Sequence, residues 1–464
     1  MNDPRQLAQT RQAQHVTELI DFLRIPSVST QPQHAADVAA AAHWLAAQMT
    51  AAGLEHVRVL TTAGHPLVYA DWLHAGPEAP TVLIYGHYDV QPAEPFDQWE
   101  TPPFEPTVRG DYLYARGAAD DKGQVYVHVK AAEAYLEAHG RLPVNVKFIV
   151  EGEEESGSVN LSRFIPANKA LLAADVALVS DTTILSPDQP AIVYGLRGMV
   201  YAFVDVTGPG RDLHSGSFGG GVNNPLNALA HIIAQLKDAE GKIRVPGFYE
   251  GVRPLSAAER ALLAQFPLDG DAWLKETGAP AQWGEPGYSL VERLGARPTL
   301  DVNGLIGGYT GPGAKTVIPS TAHAKISMRL VPDQDPQEIY ARFVEYVQTV
   351  APAGVTVQVT SAHHAYPSLT DYTLPAMRAA SHAYAVAFGR EPVFMREGGS
   401  IPVVSDFQRH LGLETVLMGF GLPTDRIHAP NERFYLPNFY RGVQTSIEFM
   451  ALYARLFAGD DPAV

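Results

Sequence analysis

Short, continuously apolar runs recur along this chain and alternate with amphipathic stretches of helical length. TVLIYG (Thr81–Gly86), VNVKFIV (Val144–Val150) and DVALVS (Asp175–Ser180) read as strands buried on both faces, the pattern of a parallel sheet in an α/β domain. His56–Leu60 and Leu67–Trp72 read as further strands, Tyr112–Ala115 as a short one, and Glu414–Met418 as a late return to the sheet. Helices are predicted from about Pro4 to Leu23, His34 to Ala52, Val125 to Ala138, Asp371 to Phe388 and Pro437 to Leu456. Pro26 and Gly53 supply stop signals for the first two. The stretch Gln91–Pro106 holds five prolines and reads as irregular.

From about Ala191 the pattern changes. IVYGLRGMVYAFVDVTG reads as a long strand or hairpin, followed by the glycine-rich GPGRDLHSGSFGGGVNNP and a helix over Asn224–Leu236. That loop has neither the GxGxxG nor the Walker spacing of a phosphate cradle, so it reads as a turn. Phe248–Gly295 is rich in turn residues, with a helix near Ala257–Gln265. TLDVNGLIGG and TAHAKISMRLVP alternate as strands with one exposed face. A helix over Gln337–Thr349 and a strand over Val355–Thr360 complete a strand–helix–strand–strand–helix–strand series, a ferredoxin-like α+β pattern. The expected organisation is one α/β domain in two parts, 1–190 and 371–464, with a smaller domain, 191–370, inserted between them.

The length of 464 residues and hydrophobic content of 46% suffice for two cores. The absence of cysteine excludes disulfides, thiol catalysis and cysteine-held zinc, so any metal must be held by histidines and carboxylates. The net charge of -16 argues against nucleic acid and anionic membranes as partners. The polar N-terminal stretch and the lack of a membrane-spanning apolar run make a cytoplasmic location the expectation.

The chemistry centres on EGEEESGS, Glu151–Ser158. A run of acids is ordinarily a solvated face. This one begins where a buried strand ends, the place where open α/β sheets bind ligands. Adjacent carboxylates there repel, and a pair of metal ions would compensate them. Of Glu154 and Glu155, one could then serve as ligand and the other as base. GHYDVQP follows another buried strand, and on an extended segment His87 and Asp89 point the same way, so Asp89 could orient a ligating His87. Asp120 and Asp121 precede a helix, where capping is the plain reading. Capping is compatible with a carboxylate bridging two cations. Asp181 ends the strand DVALVS, and His428 lies in a proline-flanked loop after the last strand. Their recurrence at strand or loop ends of one α/β unit is more telling than any single motif.

GHYDVQP, RGAADDKG, EGEEESGS, DLHSG, GAKTVIP, SMRLVP, REGGSIP and RIHAPNE stand in this order over nearly the whole chain. In this the sequence resembles the dinuclear zinc metallopeptidases that include carnosinase-type dipeptidases, aminoacylase and glutamate carboxypeptidase. It is most similar to the carnosinase and cytosolic non-specific dipeptidase branch. The resemblance implies a zinc-peptidase-like α/β domain, its mixed sheet sandwiched by helices, with an inserted lid that forms a homodimer. It implies two divalent ions, zinc, manganese or cobalt. His87 and Asp181 would complete one metal site, Glu155 and His428 the other, and Asp120 would bridge both. Asp89 would support His87, and Glu154 would be the general base that activates a metal-bridging water for attack on a dipeptide bond. His214, supplied by the partner subunit, would stabilise the oxyanion. Arg329 would bind the substrate carboxylate, with Thr316, Ser400 and His363 as further contacts. The alternatives are an N-acyl amino acid deacylase or a glutamate-releasing carboxypeptidase on the same site, or a metal-free binding protein.

Overall fold

The computed structural model describes residues 3–460. The chain forms two compact units. The first runs from the N-terminal end to Tyr194 and adds Thr370–Phe394 and the segment from Val403 onward; the second comprises Gly195–Leu369 and Met395–Pro402.

The first unit is built on a mixed sheet. Its centre is parallel: Asn145–Glu151 pairs with Thr81–His87, which pairs with Val176–Val179, which pairs with Thr415–Leu417. Every residue of Asn145–Glu151 and of Val176–Val179 is buried, as the unbroken apolar runs require. Leu67–Trp72 and Glu55–Leu60 extend one edge antiparallel. Ala191–Leu196, in which the first unit gives way to the second, joins the other edge through Val193 opposite Leu417. The chain reaches Asn145–Glu151 from Thr81–His87 through the helix Lys122–His139, the crossover that adjacent parallel strands demand.

That helix is buried around most of its circumference, unlike an ordinary surface helix. It packs on Thr81–His87 and on the terminal helix Leu436–Phe457, which packs in turn on Pro375–Phe388. Near the N-terminus the expected single helix is two, Pro4–Thr10 and Gln12–Leu23, broken at Arg11. Phe22 of the second stacks on Trp44 at 4.5 Å, and Trp44 meets Tyr126 of the buried helix at 5.6 Å. Among the described residues no helix is long and apolar enough to cross a membrane.

The second unit carries a four-stranded antiparallel sheet in the order Thr299–Gly307, Thr321–Leu330, Gly198–Thr207, Thr356–Ala365. With the helices Pro225–Leu236 and Pro336–Val350 the chain order is strand–helix–strand–strand–helix–strand. Asn224 and Asp335 cap these helices, each ahead of a proline. Alternate residues of the central strands, among them Val200, Val204, Ile326 and Met328, share one core with Leu229, Ile232, Phe343 and Val347 from the two helices. The run read as one strand or hairpin divides at Arg197: Ala191–Leu196 belongs to the mixed sheet and Gly198–Thr207 to this one. Met395–Pro402, expected within the last part of the first domain, groups with the second unit. There Arg396 is paired with the buried Glu259, and a side chain at Gly295 would collide with the Arg396 carbonyl.

Candidate metal centre and active site

The carboxyl ends of the four parallel strands gather the candidate residues. His87 is the last residue of Thr81–His87 and lies in register with Glu151. Asp181 follows Val176–Val179, and the loop holding His428 follows Thr415–Leu417. Asp120 lies just before the buried helix, across a cis Asp120–Asp121 bond.

Two groups form, and Asp120 belongs to both. His87, Asp120 and Asp181 can place one ligand atom each within 4.8 Å of the others, and so can Asp120, Glu155 and His428. The two oxygens of Asp120 divide between them. Oδ1 lies 3.0 Å from His87 Nε2, and Oδ2 lies 2.8 Å from His428 Nε2. Asp181 Oδ2 is 3.7 Å from His87 Nε2, and Glu155 Oε1 is 3.3 Å from His428 Nε2.

Asp89 does more than face His87. Its carbonyl oxygen lies 3.0 Å from His87 Nδ1, which leaves Nε2 directed at Asp120. Its carboxylate accepts the backbone N–H of Glu154 at 3.2 Å and of Glu155 at 3.1 Å. One buried acid therefore orients the histidine and holds the turn that carries both glutamates. Glu155 also accepts Gln91 Nε2 at 2.6 Å. Glu154 belongs to neither group, although His87, Asp181, Glu155 and Asp120 all act on its charge.

Gln91 and Glu432 received no role from the sequence, and Asp121 only that of a helix cap, yet its side chain makes no capping bond to the helix it precedes. Asp121 Oδ2 accepts the His87 backbone N–H at 3.1 Å, and a Cβ on Gly86 would lie 2.6 Å from that same oxygen. Lys122 anchors the start of the helix, its ammonium donating to the carbonyls of Phe22 at 3.1 Å and Ile25 at 2.7 Å. A buried polar residue in a loop leaves no periodic trace, so only the tertiary fold exposes these partners. The glutamate four positions after the candidate ligand in RIHAPNE was the one available pointer.

The electrostatics test whether cations fit. Burial and the carboxylates of Asp181, Glu155 and Asp120 push Glu154 up to about 9, against the pull of His87. Burial and Asp181 push Asp121 well above the carboxylate range. Burial opposes the charge on Asp120, but hydrogen bonds from His428 and His87 hold it well below that range. The hydrogen bonds of Asp120 and Glu155 push His428 up to about 10. Burial alone would lower His87, yet Asp120 and Asp89 raise it well above the imidazole range. Two imidazoles cannot balance this many buried carboxyls, and buried Asp121 Oδ1 and Glu151 Oε2 lack a hydrogen-bond partner. Histidine nitrogens and carboxylate oxygens in two groups sharing one carboxylate fit a pair of divalent cations.

The remaining candidates lie in the second unit. Leu213–His214 pairs with Val317–Ile318, and the Ser215 N–H donates to the Thr316 carbonyl at 3.1 Å. His214 is exposed, and its Nδ1 accepts the Gly216 N–H at 3.0 Å, so the ring of the neutral form carries its proton on Nε2. Arg329 Nη1 donates to Ser400 Oγ at 3.4 Å, and Ser400 Oγ donates to the Arg197 carbonyl at 2.5 Å. Burial and the neighbouring Arg329 lower Arg197 to about 10, which marks two guanidiniums close together. His363 is exposed opposite Tyr201, whereas its neighbour His364 bonds Ser361 Oγ at 2.7 Å.

The profile of Peptidase family M20/M25/M40 matches residues 83–451. The Cys-Gly metallodipeptidase DUG1 of Saccharomyces cerevisiae is 30% identical over 461 residues, covering 95% of each chain. The human Beta-Ala-His dipeptidase is 33% identical over 398 residues, covering 84% of this chain and 78% of that protein. Among solved structures, the M20 family metallo-carboxypeptidase Sso-CP2 from Sulfolobus solfataricus superposes with a TM-score of 0.82 at 33% identity, over 95% of this chain and 99% of that one. Human carnosine dipeptidase 1 superposes with a TM-score of 0.78 at 30% identity, over 97% and 98%. Sequence, fold and the order of the motifs agree: the chain belongs to peptidase family M20/M25/M40.

Proposed function

We propose that this chain is a metal-dependent dipeptidase that hydrolyses the peptide bond of dipeptides at the Asp120-centred site. The observation that carries this is the division of Asp120 between two His/carboxylate groups, one oxygen toward each. The similarity to the yeast Cys-Gly metallodipeptidase and the human Beta-Ala-His dipeptidase supports dipeptides as the substrate class.

His87, Asp120 and Asp181 would hold one divalent ion, and Asp120, Glu155 and His428 the other. Zinc, manganese and cobalt all suit this donor set. When bound, such ions polarise the scissile carbonyl and make a water acidic enough to attack at neutral pH. Glu154, left outside both groups, takes the proton of the attacking water. Once loaded, it can return that proton to the amine nitrogen as the C–N bond breaks. Asp89 keeps the Glu154 backbone in place throughout. His214, with its proton on Nε2, is the donor for the oxyanion, and we assign it to a second copy of the chain in a homodimer. Arg329, with Ser400 against it, takes the free carboxylate of the substrate, and Thr316 and His363 are further contacts.

A substrate panel tests this. The protein is stripped with chelator, refilled with zinc or manganese, and assayed on dipeptides, longer peptides, N-acetyl amino acids and peptidyl-glutamates. Metal-restored cleavage of the dipeptides is expected, with slow or no cleavage of N-blocked substrates. Cleavage confined to N-acyl amino acids or to C-terminal residues of longer peptides would keep the site and reject the substrate class.

A further inference from the structure

We propose that Glu432 is a positioning residue that fixes Asp120 and His428 before any ion binds. The inference rests on the two-group site proposed above and extends it to a residue that touches no candidate ligand atom.

Glu432 is completely buried, and four donors from one loop converge on its carboxylate. Oε2 accepts Arg116 Nη1 at 2.7 Å and the Gly117 N–H at 3.0 Å. Oε1 accepts the N–H of Ala119 at 3.0 Å and of Asp120 at 3.2 Å. The Glu432 carbonyl accepts a fifth bond, from the Ala115 N–H at 3.1 Å. The loop from Ala115 to Asp120 is thus wrapped on one side chain, and the backbone of the residue shared by both groups is among its donors.

Glu432 stands four residues after His428, and the segment between them is closed. Asn431 Oδ1 accepts the Glu100 N–H at 2.7 Å, Asn431 Nδ2 donates to the Gln98 carbonyl at 2.8 Å, and the Arg433 N–H returns to the Asp425 carbonyl at 3.0 Å. His428 and Asn431 both hold left-handed backbone, φ 60° and 64°. Non-glycine residues keep that conformation where the surroundings over-determine it. The same buried carboxylate therefore ties the Asp120 loop to the His428 loop. Both loops feed the Asp120–Glu155–His428 group, whereas only one feeds the group of His87 and Asp181. The Asp120–Glu155–His428 group should be the more sensitive of the two.

Glutamine at this position keeps the shape but turns an amide N–H₂ toward two donors. Outer partners of metal ligands typically change affinity by about 10–100-fold when altered. Glu432→Gln is expected to weaken one of the two ions by that factor in a binding titration with manganese alone, with Glu432→Asp, which keeps the charge, falling between it and the unaltered chain. Glu259→Gln removes a carboxylate from a buried ion pair in the second unit and serves as the stability control. It should lower Tm with both affinities kept. Equal affinities in the Glu432 variants and the unaltered chain would overturn the inference. A measurement without any variant guards against misfolding: in the metal-stripped protein, peptides covering residues 115–121 should already be protected from hydrogen exchange. Rapid exchange there, cured by manganese, would show that ions rather than Glu432 order the loop. If the unaltered protein binds no ions at all, the two-group reading fails instead, a result distinct from either outcome above.

Discussion

Glu154 and Glu155 are identical neighbours in different surroundings. Glu155 faces His428 and is held by Gln91, while Glu154 joins no ligand group and sits among charges that raise its proton affinity. Glu154→Ala should lower turnover by about 10²–10⁴-fold, the usual contribution of a general base, while metal analysis still finds the ion content of the unaltered protein. Lost ions with turnover retained would reverse the two assignments. At this scale the sequence was informative where a polar residue follows the end of a buried apolar run, as at His87, Glu151 and Asp181. It was silent where a polar residue is buried by distant chain. Beyond the place of Glu432 four positions after His428, nothing local distinguishes Gln91 or Glu432 from ordinary loop residues, and their partners lie 64 and more than 300 positions away.

Among elements, the buried strands were legible because continuous apolar runs have few other uses, and helix boundaries agreed where caps and prolines were strong, as at Asn224 and Asp335. Boundaries moved where polar residues stayed in regular structure. Thr356–Ala365 runs five residues past the predicted Thr360 because its polar end, SAHHA, lies on an exposed strand. The helix Lys122–His139 carries a second kind of surprise, a histidine inside the core. His128 is buried, with Nε2 2.7 Å from Ser180 Oγ and Nδ1 2.9 Å from Ser446 Oγ. Ser180 gives its own proton to the Met418 carbonyl, so Nε2 donates, and in the neutral ring that burial favours Nδ1 accepts from Ser446. Burial lowers His128 from 6.5 to about 3. The unfolded chain therefore binds a proton that the folded chain refuses between those values. This contribution is complete above about pH 6.5 and is lost progressively as pH falls toward 3. Unfolding free energies of the unaltered chain and His128→Gln should converge as pH falls through that window, by about 1.4 kcal/mol per pH unit at most. Parallel profiles would mean that His128 is not buried neutral.

On the scale of the whole molecule, two units with separate cores follow from two hydrophobic patterns, buried parallel runs in one and alternating strands in the other. A change of period near 191 was visible in the sequence, close to where the units divide between Tyr194 and Gly195. The assignment of Met395–Pro402 to the second unit was not, because it depends on Arg396 meeting Glu259 more than a hundred residues away. The proposed catalytic reading likewise needs the fold: five ligand candidates, spread from His87 to His428, form two groups only when four strand ends are brought together. In the proposed function each group holds one ion and both ions are required. The most direct measurement refills the metal-stripped protein stepwise with manganese while following both ions bound per chain and cleavage of a Cys-Gly dipeptide. Full turnover should return only as the second ion per chain is bound. Full turnover at one ion per chain, or dipeptide cleavage by the stripped protein, would contradict it.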